Sequence, residues 1–165
     1  MFANLDEVTE TLIYCTLQLA SKCHAICKGQ HNGKSQNFVK ACCAYAHITI
    51  LSLESIPKQI NLLFLSAQVA LMNGLIGEVE SLIGLIIEIL GNNHKDELPH
   101  LQYVSDVINR MLGFMVIVPS NPEDSYFILV DGMMSLMQDD ETWTRDHAYK
   151  LRCEIYINVV RFLAS

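Results

Sequence analysis

Long apolar runs alternate with short polar breaks along the chain, and within the runs the apolar positions return at helical spacing. The densest part is Phe38 to Leu90, three long apolar segments that each carry one thin polar line. In the first, Lys40, His47 and Glu54 recur every seven residues. In the second, Lys58, Asn61 and Gln68 play that part, and in the third, Glu78, Ser81 and Glu88 do. Helices this apolar must be covered on most sides by other helices. The pattern therefore predicts a layered all-α body in which one narrow stripe of each helix meets water.

The first helix is expected from about Leu5 to Lys28, with Asn4 as N-cap and Glu7 completing a capping box. Leu5, Val8, Leu12, Cys15, Leu19, Cys23 and Ile26 recur at steps of three and four and make one apolar face. Asp6, Thr9, Glu10 and Lys22 lie largely off it. The run from Gly29 to Lys34 is a loop by its glycines and asparagine. Ser35 is the expected cap of a second helix running to about Leu53, and Ser55 caps a third, with Pro57 tolerated in its first turn. Asn73-Gly74 stops the third helix, and Gly91-Asn92-Asn93 stops the fourth. After a polar loop from His94 to Glu97, Pro99 opens a fifth helix whose buried side is Leu101, Val104, Ile108, Met111 and Met115. Asn121 as cap, Pro122 in the first turn and the acids after it open a sixth, to about Gln138. A seventh runs from about Thr144 to Leu163, with Leu151, Ile155, Val159 and Phe162 on one face. Seven helices with short connections give antiparallel neighbours, the geometry of stacked helix pairs in a HEAT-like α-solenoid. Residues 1–165 read as one such solenoid segment, a fragment of a longer chain.

Composition sharpens this picture. Apolar residues make up 51% and charged residues only 18%, with mean hydropathy +0.26, so the surface must be covered by membrane or by protein. A net charge of −7 and scattered basic residues exclude a nucleic-acid partner, which needs clustered Lys and Arg. Gln59 to Gly77 is free of charge and long enough to span a bilayer. Gln59, Asn61, Ser66, Gln68 and Asn73 interrupt it, however, and favour a buried helix over an integral membrane protein. Six cysteines, five at apolar helical positions, no apparent signal peptide and no glycan acceptor fit a reducing, cytosolic setting with free buried thiols.

Chemistry-bearing residues are few. Cys23, His24, Cys27 and His31 have the residue types of a zinc site. His24 points about a quarter turn away, however, His31 sits in the loop, and nothing elsewhere completes four ligands. Cys43 and His47, four apart on a helix, only mimic a nucleophile and base, because an apolar setting raises the thiol pKa. Glu78, Glu80 and Glu88 are a solvated stripe, and no dinucleotide, phosphate-loop or HExxH motif occurs. The expectation is no catalytic residue, no cofactor-binding residue and no metal ligand, with a small metal- or thiol-dependent enzyme as the rival reading. Met111, Met115, Met133, Met134 and Met137 cluster on adjacent helices and read as core packing before partner binding. Trp143 follows the acidic tip Asp139-Asp140-Glu141, usually a solvated turn and occasionally a docking site.

A family resemblance enters at Phe38-Val39-Lys40-Ala41-Cys42. The block FVKACCAYAHITILSL, Asn61-Leu62 and the run Ser66 to Asn73 resemble the large scaffold subunits of the retriever complex, which are related to retromer's α-solenoid. Ile117-Val118-Pro119, Pro122-Glu123 and Met137-Gln138-Asp139 before Trp143 are similar to the same family in the same order. The resemblance covers an interior part of the C-terminal half of a much longer subunit. It implies a non-enzymatic scaffold of endosomal cargo recycling, cytoplasmic and peripheral to the endosomal membrane. The partners it implies are a metallophosphoesterase-fold small subunit, an arrestin-like subunit, and coiled-coil and COMM-domain proteins of a Commander-type assembly. One departure is Leu51, where the family tends to carry Pro, so the second helix is free to run on there.

Overall fold

The computed structural model of the chain describes residues 3–93, 98–119, 125–138, 143 and 146–164. Among them lie seven α-helices and no strand: α1 (Ala3–Cys27), α2 (Gly33–Ile50), α3 (Ile56–Met72), α4 (Ile76–Asn92), α5 (Leu98–Met115), α6 (Ser125–Ser135) and α7 (Asp146–Leu163). They group into two compact units, Met1–Ile86 and Ile87–Ser165.

In the first unit α3 is the most enclosed helix. Ile60, Leu62, Leu63, Phe64, Ser66, Ala67, Val69 and Ala70 are buried, while Asn61 and Gln68 stay exposed and Lys58 half-buried, as the polar line predicts. Each large side chain buried this way stabilises by about 1.5–3 kcal/mol. α1 and α3 lie side by side and run in the same direction. Asp6 meets Glu54, Glu10 meets Lys58, and Tyr14 to Ser21 share a groove with Leu65 and Val69. α2 packs on both. Alternate helices that run parallel around an antiparallel third are the local geometry of an α-solenoid.

The helix ends follow from particular residues. α1 closes on a Schellman motif, with Lys28 N–H donating to the Ala25 carbonyl and Gly29 N–H to the His24 carbonyl. Lys28 (φ 51°) and Gly29 (φ 75°) are both left-handed. α2 begins at Asn32, not Ser35. The Asn32 side chain accepts from the Lys34 and Ser35 amides, and the Ser35 hydroxyl accepts from the Asn32 amide. Ser35 is thus the third residue of a capping box rather than the cap. α2 ends at Ile50 with Leu51 as its C-cap, three residues before the expected Leu53. Ser52 N–H and Leu53 N–H turn back to the Thr49 and Ile50 carbonyls, so no proline is needed to end the helix. Ser55 stands at the start of α3 without a side-chain cap, and Pro57 lies in the first turn. Gly74 (φ 72°) and Leu75 close α3 in a second Schellman motif, with N–H donation to the Leu71 and Ala70 carbonyls. Asn4 lies inside α1 rather than at its cap.

In the second unit the predicted face of α5 is the buried one: Leu101, Val104, Ile108, Met111 and Met115 are nearly inaccessible. α5 packs on α7 through Ile155 and Val159, and Asn158 Nδ2 donates to Asn109 Oδ1 at 2.9 Å. A groove shared by Asn109 to Val116 and Asn158 to Phe162 shows that α5 and α7 also run parallel. The end of α4 meets α6, where a Cβ built on Gly132 would touch Ile87 at 3.4 Å. α6 ends at Ser135, and two tight turns, Met137 N–H to Met134 and Gln138 N–H to Ser135, carry the chain to Gln138. The expected cap at Asn121-Pro122, the loop from His94 to Glu97 and the acidic tip Asp139-Asp140-Glu141 lie outside the described residues.

The apolar window from Gln59 to Gly77 is not one helix. The Asn73-Gly74 turn breaks it, leaving a helix of 17 residues, about 25 Å against a hydrocarbon core of about 30 Å. Among the described residues no helix is long and apolar enough to cross a membrane.

Candidate functional site

α1 presents the first candidate surface. Its sequence carries the apolar seam Leu5, Val8, Leu12, Cys15, Leu19, Cys23 and Ile26, and the structure turns all of it but half-buried Cys23 outward: Leu5 is 67% exposed and Ile26 81%. The helix faces its own unit with Ile13, Leu17 and Ala20 instead. Beside that covered face, α3 supplies partners to the acids of α1. Glu10 pairs with Lys58 Nζ at 2.7 Å and the Asp6 carboxylate accepts from the Glu54 amide at 3.3 Å, so the edge of α1 that carries acids finds partners inward. The ion pair is half-exposed, so water screens it and it stabilises little; the Glu10 hydrogen bond and charge raise the Lys58 pKa. α2 behaves similarly. Phe38, Tyr45 and Ile48 join Lys40 on its open face, and only Val39, Cys42, Cys43, Ala46 and Ile50 are buried. The narrow water-facing stripe expected of this helix is in fact a broad one.

A second constellation forms where α1 meets α2. The left-handed pair Lys28 and Gly29 folds the chain back so that His31 returns to the last turn of α1. One ligand atom from each of Cys23, Cys27 and His31 lies within 4.8 Å of the other two. His24, on the same turn, stacks obliquely on the His31 ring, centroids 5.7 Å apart, and stands outside that set. Burial, followed by the neighbouring Cys27, raises the Cys23 pKa; burial, followed by Cys23, raises that of Cys42 on α2. Sequence reasoning named all four residues of the loop cluster but left His31 in an undirected loop; the signal that places it is the Schellman closure one residue before Gly29.

The remaining sequence candidates separate cleanly. Cys43 is 1% exposed, and burial, with Glu78 and Cys42 adding, pushes its thiol up to about 11, so it stays protonated at neutral pH. It is no activated nucleophile for His47 to serve. Glu88 is exposed and Glu78 and Glu80 are half-buried along α4, as a solvated stripe would be. Met111, Met115, Met133 and Met137 are buried and Met134 half-buried, which is core packing. Trp143 is fully buried and donates from Nε1 to the Leu136 carbonyl at 3.1 Å, so it docks nothing. All six cysteines are free thiols, but only Cys42 and Cys43 are buried.

A family model described as the VPS35L C-terminal domain matches residues 1–165, the whole chain. The chain belongs to the VPS35L C-terminal-domain family. A zebrafish protein named VPS35 endosomal protein-sorting factor-like is 34% identical over 99% of the chain, and the mouse protein of that name is 33% identical over 100%. A Dictyostelium discoideum relative with the same description is 29% identical over 84%. The chain spans about 17% of the length of the zebrafish and mouse relatives. The blocks that carry the family likeness divide between core and surface: Leu62, Ser66, Ala67, Val69, Ala70 and Trp143 are buried, whereas Phe38, Tyr45, Ile48 and Ile117 are exposed.

Proposed function

We propose that this chain is a non-enzymatic scaffold segment of a retriever-type, Commander-associated complex, acting in endosomal recycling of membrane cargo. In this reading it is cytoplasmic and reaches the endosomal membrane through partner subunits. The partners are a metallophosphoesterase-fold small subunit, an arrestin-like subunit, and coiled-coil and COMM-domain proteins. Membership of the VPS35L family, whose relatives are named as endosomal protein-sorting factors, supports the setting. The observation that carries the binding role is the outward seam of α1. Apolar side chains at steps of three and four over one helix face are the arrangement that packs against another helix, and here they stand in water. Cys43, held as a neutral thiol, supports the absence of catalysis.

Co-expression with the metallophosphoesterase-fold small subunit, followed by size-exclusion chromatography, tests the reading. Co-elution as one species is the expected result, and the double variant Leu12→Asp, Leu19→Asp is expected to lose it while keeping the helical circular-dichroism spectrum. Separate elution of the unaltered chain would remove the docking role from these helices.

A further inference from the structure

We propose that Cys23, Cys27 and His31 form a metal site that takes a zinc ion and staples the α1–α2 hairpin. The proposal stands apart from the scaffold reading and rests on three observations. The donor atoms are already gathered, within 4.8 Å of one another. Tetrahedral zinc with bonds of about 2.3 Å to sulfur and about 2.0 Å to nitrogen needs ligand separations of about 3.5–3.8 Å. Cys23 and Cys27 stand one turn apart on α1 with His31 folded back beside them, so side-chain rotation is the movement that would close that gap.

The second observation is the state of the His31 ring. Ser35 Oγ donates its single proton to the Asn32 carbonyl at 3.1 Å and accepts from the Asn32 amide at 2.9 Å. Its remaining lone pair faces His31 Nδ1 at 3.3 Å, an arrangement that the Nδ1–H tautomer satisfies. In that tautomer Nε2 carries a bare lone pair, and it is buried with no hydrogen-bond partner among the described residues. A histidine with one nitrogen held by a hydroxyl and the other presented unpaired is oriented as metal-ligating histidines are. The capping box of α2 therefore doubles as the outer shell of the site.

The third observation is chemical. Two thiolates and one imidazole are a donor set for zinc rather than for magnesium or calcium, which require oxygen. Binding releases the two thiol protons to solvent and leaves the fourth tetrahedral position to water or to a further donor. Cys42, on α2, lies outside the three-residue set.

Two experiments on the reduced chain decide the matter. Cobalt(II), used as a spectroscopic substitute after chelator treatment, is expected to bind one to one. It should show sulfur-to-cobalt charge-transfer absorption, and zinc should displace it. Ser35→Ala is expected to weaken zinc binding roughly ten- to a hundredfold through loss of the outer shell, and His31→Ala or Cys23→Ser by more. Cys153→Ser should leave affinity unchanged. In the unaltered chain, iodoacetamide labelling read by mass spectrometry should show zinc protecting Cys23 and Cys27 while exposed Cys15 labels at the same rate. Absent charge-transfer absorption, unchanged affinity in folded His31→Ala, or no protection of Cys23 and Cys27 would each overturn the site. Should a variant fail to fold, the labelling of the unaltered chain still decides.

Discussion

Trp143 is fully buried and its indole nitrogen is committed to the Leu136 carbonyl, so replacing it removes packing and a hydrogen bond together. Trp143→Ala is expected to cost about 3–5 kcal/mol, read by urea unfolding followed with circular dichroism. Cys43 offers a pH test at the same scale. Its thiol ionises near 11 in the fold and near 9.0 in the unfolded chain. Because the fold disfavours the thiolate, stability is intact below about pH 9 and falls as pH rises towards 11. The expected observation is a drop in melting temperature across that window that is smaller in Cys43→Ala; an equal drop in both proteins would detach it from this residue. The apolar run around Cys43 foretells the direction of its shift, but not the neighbour that adds to it. Cys42 and Cys43 are adjacent and alike, yet only the second has Glu78 among the groups that raise it.

The helix termini are the elements most open to a test of sign. Lys28 holds a left-handed conformation that costs an L-residue about 1 kcal/mol or more, so Lys28→Gly is expected to stabilise by about 1 kcal/mol. Gly74 holds the same conformation at the end of α3, and a Cβ there meets nothing within 4 Å. Gly74→Ala is therefore expected to destabilise by about 1 kcal/mol from the backbone alone. Asn32→Ala, which removes two accepted hydrogen bonds at the start of α2, is expected to cost about 1 kcal/mol. Chemical denaturation of the three variants checks all of these together, and a Lys28→Gly protein less stable than the original would refute the strain argument. Sequence punctuation located these boundaries to within a few residues. It put Asn32 in the loop and the cap at Ser35, and only the backbone decides which residue is the last non-helical one.

At the scale of the whole molecule, exposure divides apolar residues that the pattern treats as equals. Leu63 is fully buried and Leu12 is 49% exposed. Leu63→Ala is expected to cost about 2–5 kcal/mol, whereas the α1 pair Leu12→Asp, Leu19→Asp is expected to change stability by less than about 1 kcal/mol in sum. Thermal melts of the two variants side by side check this. If the double variant melts as early as Leu63→Ala, the seam belongs to the core and the docking role proposed for it fails.

Helical periodicity, apolar content and turn residues were enough to establish the all-α class, the seven helices among the described residues, the polar lines of α3 and α4, and the buried face of α5. These are local properties: a 3.6-residue repeat and a glycine with positive φ act within a few residues of chain. The outward seam of α1, the broad open face of α2 and the return of His31 to Cys23 and Cys27 were decided by tertiary structure. Periodicity states that a face is apolar, not whether a neighbour exists to cover it. For α1, the face that carries Ile13, Leu17 and Ala20 is the covered one, and the partners that Asp6 and Glu10 find at Glu54 and Lys58, 48 residues away, lie along its edge.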